Sequence, residues 1–364
     1  MSSLRAIFAG GGTGGHVFPA LAIAEEIIRR HSEAEILFVG TKRGMESSLV
    51  PRRGYTLELI DIEPLYRRQV VKNLSFPFKV LNSVRRCLAL MRQYDPQLVV
   101  GTGGYVSGPV LYAAYLRKIP RAIAEQNAFP GWTTRMLAPR VNLVFLGFDE
   151  ARKYLRGNAR IRSHGNPVPP IDVDPAKSEI LHRWGLNPAL PTVLVTGGSQ
   201  GALSINQAVR DVLSEILTVV NLVWQTGKRM DVSQIDLPQN LAGKAHIQQF
   251  FDPMNEAYAV ADLAVSRAGA LTLSELTLRG IPSILVPYPH AAAGHQEWNA
   301  KALVAASGAR MIADHEFHGL RLAAAIKEIL SDPEELATMS HGMQSMARPD
   351  ALKHIVDDLE SLIT

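Results

Sequence analysis

The sequence predicts an α/β protein built from two doubly wound parallel-sheet domains, and three observations carry that prediction. Short apolar runs of strand length alternate with helical patterns through both halves of the chain. Two glycine-rich loops, at 10–15 and 197–201, each follow an apolar run and precede a helical pattern. The chain is 364 residues long, too long for one compact core, which makes two domains the expectation. Strands alternating with helices imply a parallel sheet covered on both faces.

Composition narrows the class. Hydrophobic residues make up 47% and charged residues 20% of the chain, ordinary values for a folded globular protein. No apolar run approaches the roughly 20 residues needed to cross a bilayer. The segment 4–9 runs straight into a strand pattern and lacks a signal peptide's cleavage pattern. The single cysteine, Cys87, excludes an internal disulfide and any multi-cysteine metal site. Together these point to the cytosol. The net charge of +4 is a small excess, much of it between 52 and 92, and predicts a local basic patch rather than a nucleic-acid partner.

In the first half, 4–9 reads as a buried strand. The loop Gly10, Gly11, Gly12, Thr13, Gly14, Gly15 follows, and then His16. A helix over 17–30 is carried by Ala20, Ile23, Ala24, Ile27 and Ile28, with Pro19 tolerated in its first turn. A strand at 36–39 completes a βαβ opening. Gly10, Gly12 and Gly15 match GxGxxG, a weak signal by itself, with a tight turn for helix–strand packing as the lesser reading. His16 sharpens the ligand reading: at the mouth of the turn its ring faces the ligand side, and imidazole exchanges protons near neutral pH.

The stretch 65–94 interleaves Leu74, Phe76, Phe78, Val80 and Leu81 with Arg67, Arg68, Lys72, Lys79, Arg85, Arg86 and Arg92. Part of it is a core stripe, and the same mixture suits an anionic lipid surface. A strand at 98–100 ends in a third glycine cluster at 101–109. A strand at 121–124 runs into Glu125, Gln126 and Asn127, at the sheet edge where α/β folds bind ligands, although Asn127 also suits a turn or cap. Strands at 142–145 and 159–163 close this half. The run Gly165, Asn166, Pro167, Val168, Pro169, Pro170 is the expected hinge.

The second half repeats the alternation, with strands at 192–196, 222–225, 245–248, 263–266, 283–286 and 309–312. Helices are expected at 203–217, 252–259, 270–279, 295–307 and 320–330. The loop 197–202 between strand and helix gathers backbone N–H groups and the positive end of a helix dipole, a setting for phosphate. A second strand–glycine–helix junction runs over 266–275, and a polar aromatic loop over 287–299 precedes another helix. The amphipathic segment 351–363 follows a break at Arg348 and Pro349.

Two chemistries lack their motif: there is no HExxH pattern and no lysine of a GxxxxGK loop. Two classes remain, a dinucleotide oxidoreductase or a transferase whose donor carries a nucleoside diphosphate. Nothing marks an independent hydride-transfer site. The loops at 197–201 and 269, with Glu275 on the following helix, favour a diphosphate and a ribose diol in the second half. The His16 loop is then left for the acceptor.

Seven motifs make the family recognisable: GGTGGHVFPALAIAEE (11–26), GTGGYVSGPV (101–110), EQNAFPG (125–131), GNPV (165–168), GGSQGA (197–202), SRAGALTLSE (266–275) and HQEWNA (295–300). In their order and spacing the chain resembles the bacterial MurG family of UDP-N-acetylglucosamine:N-acetylmuramyl-(pentapeptide) pyrophosphoryl-undecaprenol N-acetylglucosaminyltransferases. The resemblance implies the GT-B fold, two Rossmann-like domains facing a cleft. The N-terminal domain would be 1–163, joined by the C-terminal helix 349–364, and the donor domain 164–348. It implies inverting transfer of GlcNAc from UDP-GlcNAc to the C4 hydroxyl of MurNAc in lipid I, giving lipid II for peptidoglycan synthesis. His16 is the expected base, with Glu125 as rival.

By the same resemblance Thr13, Gly14, Gly15 and Asn127 line the site from the N-terminal side. Ser199, with Gln200 and Gly201, meets the diphosphate, and Phe251 borders the uracil. Ala270, Leu271, Thr272, Leu273 and Ser274 wrap the nucleotide, Glu275 takes the ribose hydroxyls and Gln296 the sugar. No cofactor or metal is required, although a divalent cation could assist. The implied location is the cytoplasmic face of the inner membrane, held peripherally through 65–92, with cell-wall assembly proteins as further partners. Two positions depart from the family pattern. Pro169 stands where an arginine usually reaches the nucleotide, leaving Arg267 as a substitute or the donor affinity lower. Ala124 stands where a histidine often precedes Glu-Gln-Asn. The alternatives are a UDP-GlcNAc 2-epimerase or other GT-B enzyme, and a nucleotide-sugar-binding protein without catalysis.

Overall fold

The computed structural model describes residues 3–64, 76–157, 160–169 and 176–363. The chain divides into two compact units, one of Met1–Pro170 with Arg348–Thr364 and one of Ile171–Ala347.

The first unit holds a seven-stranded sheet: β1 Arg5–Ala9, β2 Glu35–Gly40, β3 Thr56–Leu59, β4 Leu98–Gly101, β5 Arg121–Glu125, β6 Leu143–Leu146 and β7 Arg160–Arg162. Their order is β3-β2-β1-β4-β5-β6-β7, with every pairing parallel. Successive side chains of a strand point to opposite faces, so the continuous apolar run of β1 feeds two cores. Ala6 and Phe8 pack with Ile23 and Ile27 of helix Gly14–Arg30 and with Leu352, Ile355, Val356 and Leu359 of helix Ala351–Glu360. Ile7 and Ala9 pack on the other face with Cys87 and Met91 of helix Phe76–Tyr94 and Val110 and Leu111 of helix Ser107–Leu116.

The last helix therefore belongs to the first unit. Its buried positions 352, 355, 356 and 359 form one stripe, and Arg30 closes the edge by donating to Asp357 Oδ1 (2.6 Å) and Glu360 Oε2 (3.2 Å).

The second unit holds β8 Thr192–Thr196, β9 Asn221–Gln225, β10 Ala245–Gln248, β11 Leu263–Ser266, β12 Ser283–Leu285 and β13 Ala309–Met311. They lie in the order β10-β9-β8-β11-β12-β13, again all parallel. Helices Leu203–Asp211 and Gly319–Ser331 cover a core containing Val193, Val195, Trp224, Val265, Leu322 and Ile326.

Some expectations need correction. The seam falls after Pro170 and before Arg348, rather than after 163 and 348, because 165–168 is buried against the first sheet rather than hanging as a hinge. Gly165 N–H donates to Leu146 O (3.0 Å) and Asn166 Nδ2 to Gln126 O (3.2 Å). Residues 170–175 lie outside the described residues. Strand β3 and helices Glu46–Arg52, Ser107–Leu116 and Pro333–Ser345 were not expected. Ser107–Leu116 is buried on most sides and so shows no 3.6-residue stripe. The expected helix 203–217 breaks at Val212 into Leu203–Asp211 and Leu213–Ile216.

Ile355 is fully buried at this packing. Ile355→Ala is expected to cost about 2–5 kcal/mol, read as a shift of the urea midpoint at unchanged slope.

Candidate active site

In an open parallel sheet, ligands bind beyond the carboxyl ends of the strands where the strand order reverses. Each unit has one such point. In the first it lies between β1 and β4, whose following loops are the glycine clusters 10–15 and 101–109. In the second it lies between β8 and β11, followed by 197–202 and 267–270.

At the first switch point, helix Gly14–Arg30 starts without a side-chain cap on Thr13 and without an acidic residue in its first turn. Its N-terminal dipole is thus unopposed. Thr13 and Gly15 are exposed and Gly14 is partly so. The loop is held from behind by the buried Glu46, whose Oε2 accepts from Gly12 N–H (2.8 Å) and whose Oε1 accepts from Thr41 N–H (2.9 Å) and Oγ1 (2.8 Å).

The imidazole of His16 is gripped by the end of β4. Its Nδ1 lies 3.0 Å from Thr102 O and 3.3 Å from Gln126 Oε1. A carbonyl oxygen only accepts, so Nδ1 carries a proton, and in the neutral ring Nε2 is the nitrogen with the lone pair. Thr102 Oγ1 also donates to the backbone oxygen of His16 (2.6 Å). Gly103 is in the left-handed region at φ +101, and a Cβ there would sit 2.7 Å from Nδ1. The ring is packed too closely for any residue but glycine.

Glu125 plays a different part from the one expected. Its Oε1 accepts from Asn127 N–H and Nδ2 (3.1 Å each), and its Oε2 from Gly131 N–H (2.9 Å) and Thr134 Oγ1 (2.7 Å). It is 4% exposed. A carboxylate filled by four donors has no lone pair to offer a substrate hydroxyl, so it fastens the 125–131 turn and is withdrawn as rival base. Asn127, partly exposed, is positioned by that contact. Ala124 is buried in the core beside the helices of the first unit, and its side chain does not face the switch-point loops.

At the second switch point, Gly198 N–H donates to Thr196 Oγ1 (3.2 Å) and Gly201 N–H to Gly198 O (2.9 Å), which folds the loop back on itself. Ala202 provides no side-chain cap for helix Leu203–Asp211. Ser199 and Gly201 are partly exposed and Gln200 is exposed. Gly201 has φ +78, and a Cβ there would run into the carbonyl oxygen of Thr226; Gly198 has φ +81 with open space around it.

Helix Ala270–Leu278 starts beside that loop, again uncapped. Ala270, Leu273, Leu276 and Thr277 are its buried positions, so Leu273, 0% exposed, faces the core and is withdrawn as a nucleotide contact. Leu271, Thr272, Ser274 and Glu275 lie on the partly open side. Burial raises the Glu275 carboxyl above its ordinary value, against the opposing pull of Tyr258 and Arg279. Phe251 is buried in a ring cluster with Trp184 and His246, and its N–H donates to Gln225 Oε1 (2.9 Å). Gln296 Oε1 accepts from Tyr288 N–H (2.9 Å), which fixes its amide in the loop before helix His295–Ala305.

Arg267 is not free to replace the missing arginine at Pro169. It donates through Nη1 to Val286 O (3.0 Å), Pro287 O (3.3 Å) and Asp314 Oδ1 (2.5 Å), and through Nη2 to Ser204 Oγ (2.9 Å). Burial acts against ionisation of Asp314, but hydrogen bonds from Ser204 and Arg267 outweigh it and hold this carboxyl below its usual range. Arg267 ties the start of helix Leu203–Asp211, the segment after β12 and the turn at Asp314 together. Glu46, Tyr258 and Asp314 escaped the sequence reading, and Thr102 and Gln126 were read only as part of a glycine cluster and a sheet edge, since each acts through a partner distant along the chain.

Two doubly wound units, one holding an imidazole beside its glycine loop and the other carrying an uncapped glycine loop, have the arrangement of a glycosyltransferase, and the comparisons place the chain in that class. The Glycosyltransferase family 28 N-terminal domain matches residues 6–146 and the family 28 C-terminal domain matches 192–355. A "UDP-N-acetylglucosamine--N-acetylmuramyl-(pentapeptide) pyrophosphoryl-undecaprenol N-acetylglucosamine transferase" from Moorella thermoacetica is 41% identical, with 97% of each chain covered. A protein of the same name from Myxococcus xanthus is 41% identical over 97% of this chain and 92% of its own. The crystal structure of Acinetobacter baumannii MurG superposes with a TM-score of 0.79 at 28% identity, covering 98% of this chain and 99% of that one. A putative UDP-N-acetylglucosamine 2-epimerase from Listeria monocytogenes shares the fold, with a TM-score of 0.66 at 14% identity, over 99% of this chain and 96% of its own. The chain belongs to the MurG family of N-acetylglucosamine transferases.

The loop geometry gives a contrast that can be measured. Gly198→Ala is expected to cost about 1–2 kcal/mol of backbone strain with UDP affinity reduced only a few fold. Gly201→Ala must also push the loop off Thr226 and is expected to lower UDP affinity by at least about tenfold, both read by calorimetry.

Proposed function

We propose that this chain transfers GlcNAc from UDP-GlcNAc to the C4 hydroxyl of MurNAc in lipid I, forming lipid II, with His16 as the general base. The observation that carries the base assignment is the contact of His16 Nδ1 with Thr102 O. In the neutral ring it leaves Nε2 as the nitrogen that accepts a proton.

The C4 oxygen attacks the anomeric carbon of GlcNAc on the face opposite UDP. As that bond forms, the bond from the anomeric carbon to the diphosphate oxygen breaks, its electron pair leaves with UDP, and the configuration inverts. The C4 proton passes to His16 Nε2. Negative charge growing on the diphosphate is met by the N–H groups of Ser199 and Gln200 and the uncapped start of helix Leu203–Asp211. Ser199, Gln200 and Gly201 serve the diphosphate, Leu271, Thr272 and Ser274 flank the nucleoside, Glu275 takes the ribose hydroxyls and Gln296 the sugar. Thr13, Gly14, Gly15 and Asn127 serve the acceptor side. This reading assigns no step to a metal, and a divalent cation has only an assisting role.

The acceptor is a lipid, and the first unit carries a surface suited to one. Helices Phe76–Tyr94 and Ser107–Leu116 pack together and expose Phe78, Leu81, Tyr112, Tyr115 and Leu116, with the exposed cations Arg85, Arg86, Arg92, Arg117 and Lys118 on or just after them. Apolar side chains among cations favour an anionic membrane surface. Among the described residues no helix is long and apolar enough to cross a membrane. Arg67, Arg68, Lys72 and Leu74 lie outside the described residues.

Radiolabelled GlcNAc transfer to a lipid I analogue tests the assignment. Wild type is expected to yield labelled disaccharide-lipid, and His16→Ala to lose at least about 100-fold in kcat with UDP binding intact. Glu125→Gln is expected to lower the melting temperature while keeping more activity than His16→Ala. Labelled product from His16→Ala at the wild-type rate removes His16 as the base. Separately, Phe78→Glu is expected to reduce co-sedimentation with phosphatidylglycerol vesicles and leave UDP affinity unchanged.

A further inference from the structure

We infer that Tyr258 sets the enzyme's selectivity for a ribose over a deoxyribose, by holding the Glu275 carboxylate so that one oxygen stays presented to the ribose hydroxyls. The inference rests on Glu275 being the ribose residue. Tyr258 lies on helix Asn255–Val260, 4% exposed, and its hydroxyl donates to Glu275 Oε2 at 2.8 Å. No donor among the described residues reaches Glu275 Oε1, and Glu275 sits on the partly open side of its helix. One oxygen is therefore committed inward and the other is available outward.

The tyrosine is itself fixed. The Arg279 guanidinium lies over its ring at 5.1 Å from the centroid, so ring, carboxylate and cation form one packed set spanning two helices. A glutamate on a helix surface loses rotamer freedom whenever it grips a ligand. Tied down by Tyr258, it has lost that freedom before the nucleotide arrives, and the diol meets an acceptor already in place. Burial pushes the Glu275 carboxyl up, and the tyrosine hydroxyl with the Arg279 charge pulls it back toward the ionised form that accepts from two hydroxyls.

Tyr258 is a positioning residue: it touches Glu275 and acts through it. Its removal is expected to appear in donor binding and in ribose selectivity, with turnover at saturating donor untouched. A merely structural role would weaken all ligands alike.

The experiment measures inhibition of GlcNAc transfer by UDP and by 2′,3′-dideoxy-UDP, together with KM and kcat for UDP-GlcNAc. Tyr258→Phe is expected to raise KM about tenfold at nearly constant kcat, weaken UDP to the same extent and leave the dideoxy analogue within about twofold. Equal weakening of both inhibitors, or unchanged selectivity, overturns the inference. Site-specific 3-fluorotyrosine at 258, a stronger donor of nearly the same size, is the second variant; it is expected to keep or increase selectivity, and a loss overturns the inference. Glu275→Ala separates the two readings. If it keeps wild-type selectivity, the ribose assignment of Glu275 fails; if it loses selectivity while Tyr258→Phe keeps it, only the role of Tyr258 fails.

Discussion

Backbone pressed against backbone at glycine is the constraint on which the switch point of each unit depends. In the first unit a Cβ on Gly104 would sit 2.6 Å from the carbonyl oxygen of Gly11, and one on Gly10 would sit 2.6 Å from that of His16. In the second, Gly201 and Gly227 meet with no room for a side chain on either. Bringing the loop after one strand hard against the loop after its neighbour is what places helix N–H groups and the His16 ring at the end of the sheet. A methyl group at these points would part the loops. The cost to binding would then far exceed the ordinary helix or strand preference of alanine over glycine.

In the proposed reaction the two units divide the chemistry by the charge each handles. The first offers an imidazole whose neutral tautomer is set by a backbone carbonyl, a device that needs no neighbouring carboxylate. The second offers fixed dipoles at a loop and two uncapped helices, where charge would accumulate on the leaving diphosphate. Arg267 acts as scaffold in this scheme, pinned by Asp314, Ser204 and two carbonyl oxygens. The neutralisation an arginine at 169 would bring is left to the loop. Glu125 is likewise scaffold. Two charged side chains that read as reactive in the sequence serve to hold loops, because each is saturated by partners.

Membership of the MurG family and the geometry of the base support one another. The proposed reaction needs acceptor deprotonation, and the Thr102 contact leaves Nε2 as the nitrogen the proposal assigns to it. The Tyr258–Glu275 pair adds a layer to donor recognition, in which a buried phenol prepares a carboxylate for a diol.

The sequence by itself determined the class of fold, the strand–glycine–helix junctions at both switch points and the family, because each is written in local pattern: apolar runs of strand length, glycine where φ turns positive, and motifs in fixed order. It also singled out His16, which stands inside such a motif. The tertiary structure decided what lies in the contacts. Strand β3 escaped because it is short and carries a glutamate, and helix Ser107–Leu116 because burial on most sides erases helical periodicity. The seam moved to 170 because Gly165 and Asn166 bond to strands and turns far away in sequence. Leu273 was lost to the core by the phase of its helix, which no motif displays. The tautomer of His16, the saturation of Glu125 and the grip of Tyr258 on Glu275 each depend on partners brought together only by folding. A hydrogen bond has two ends, and the sequence shows only one at a time.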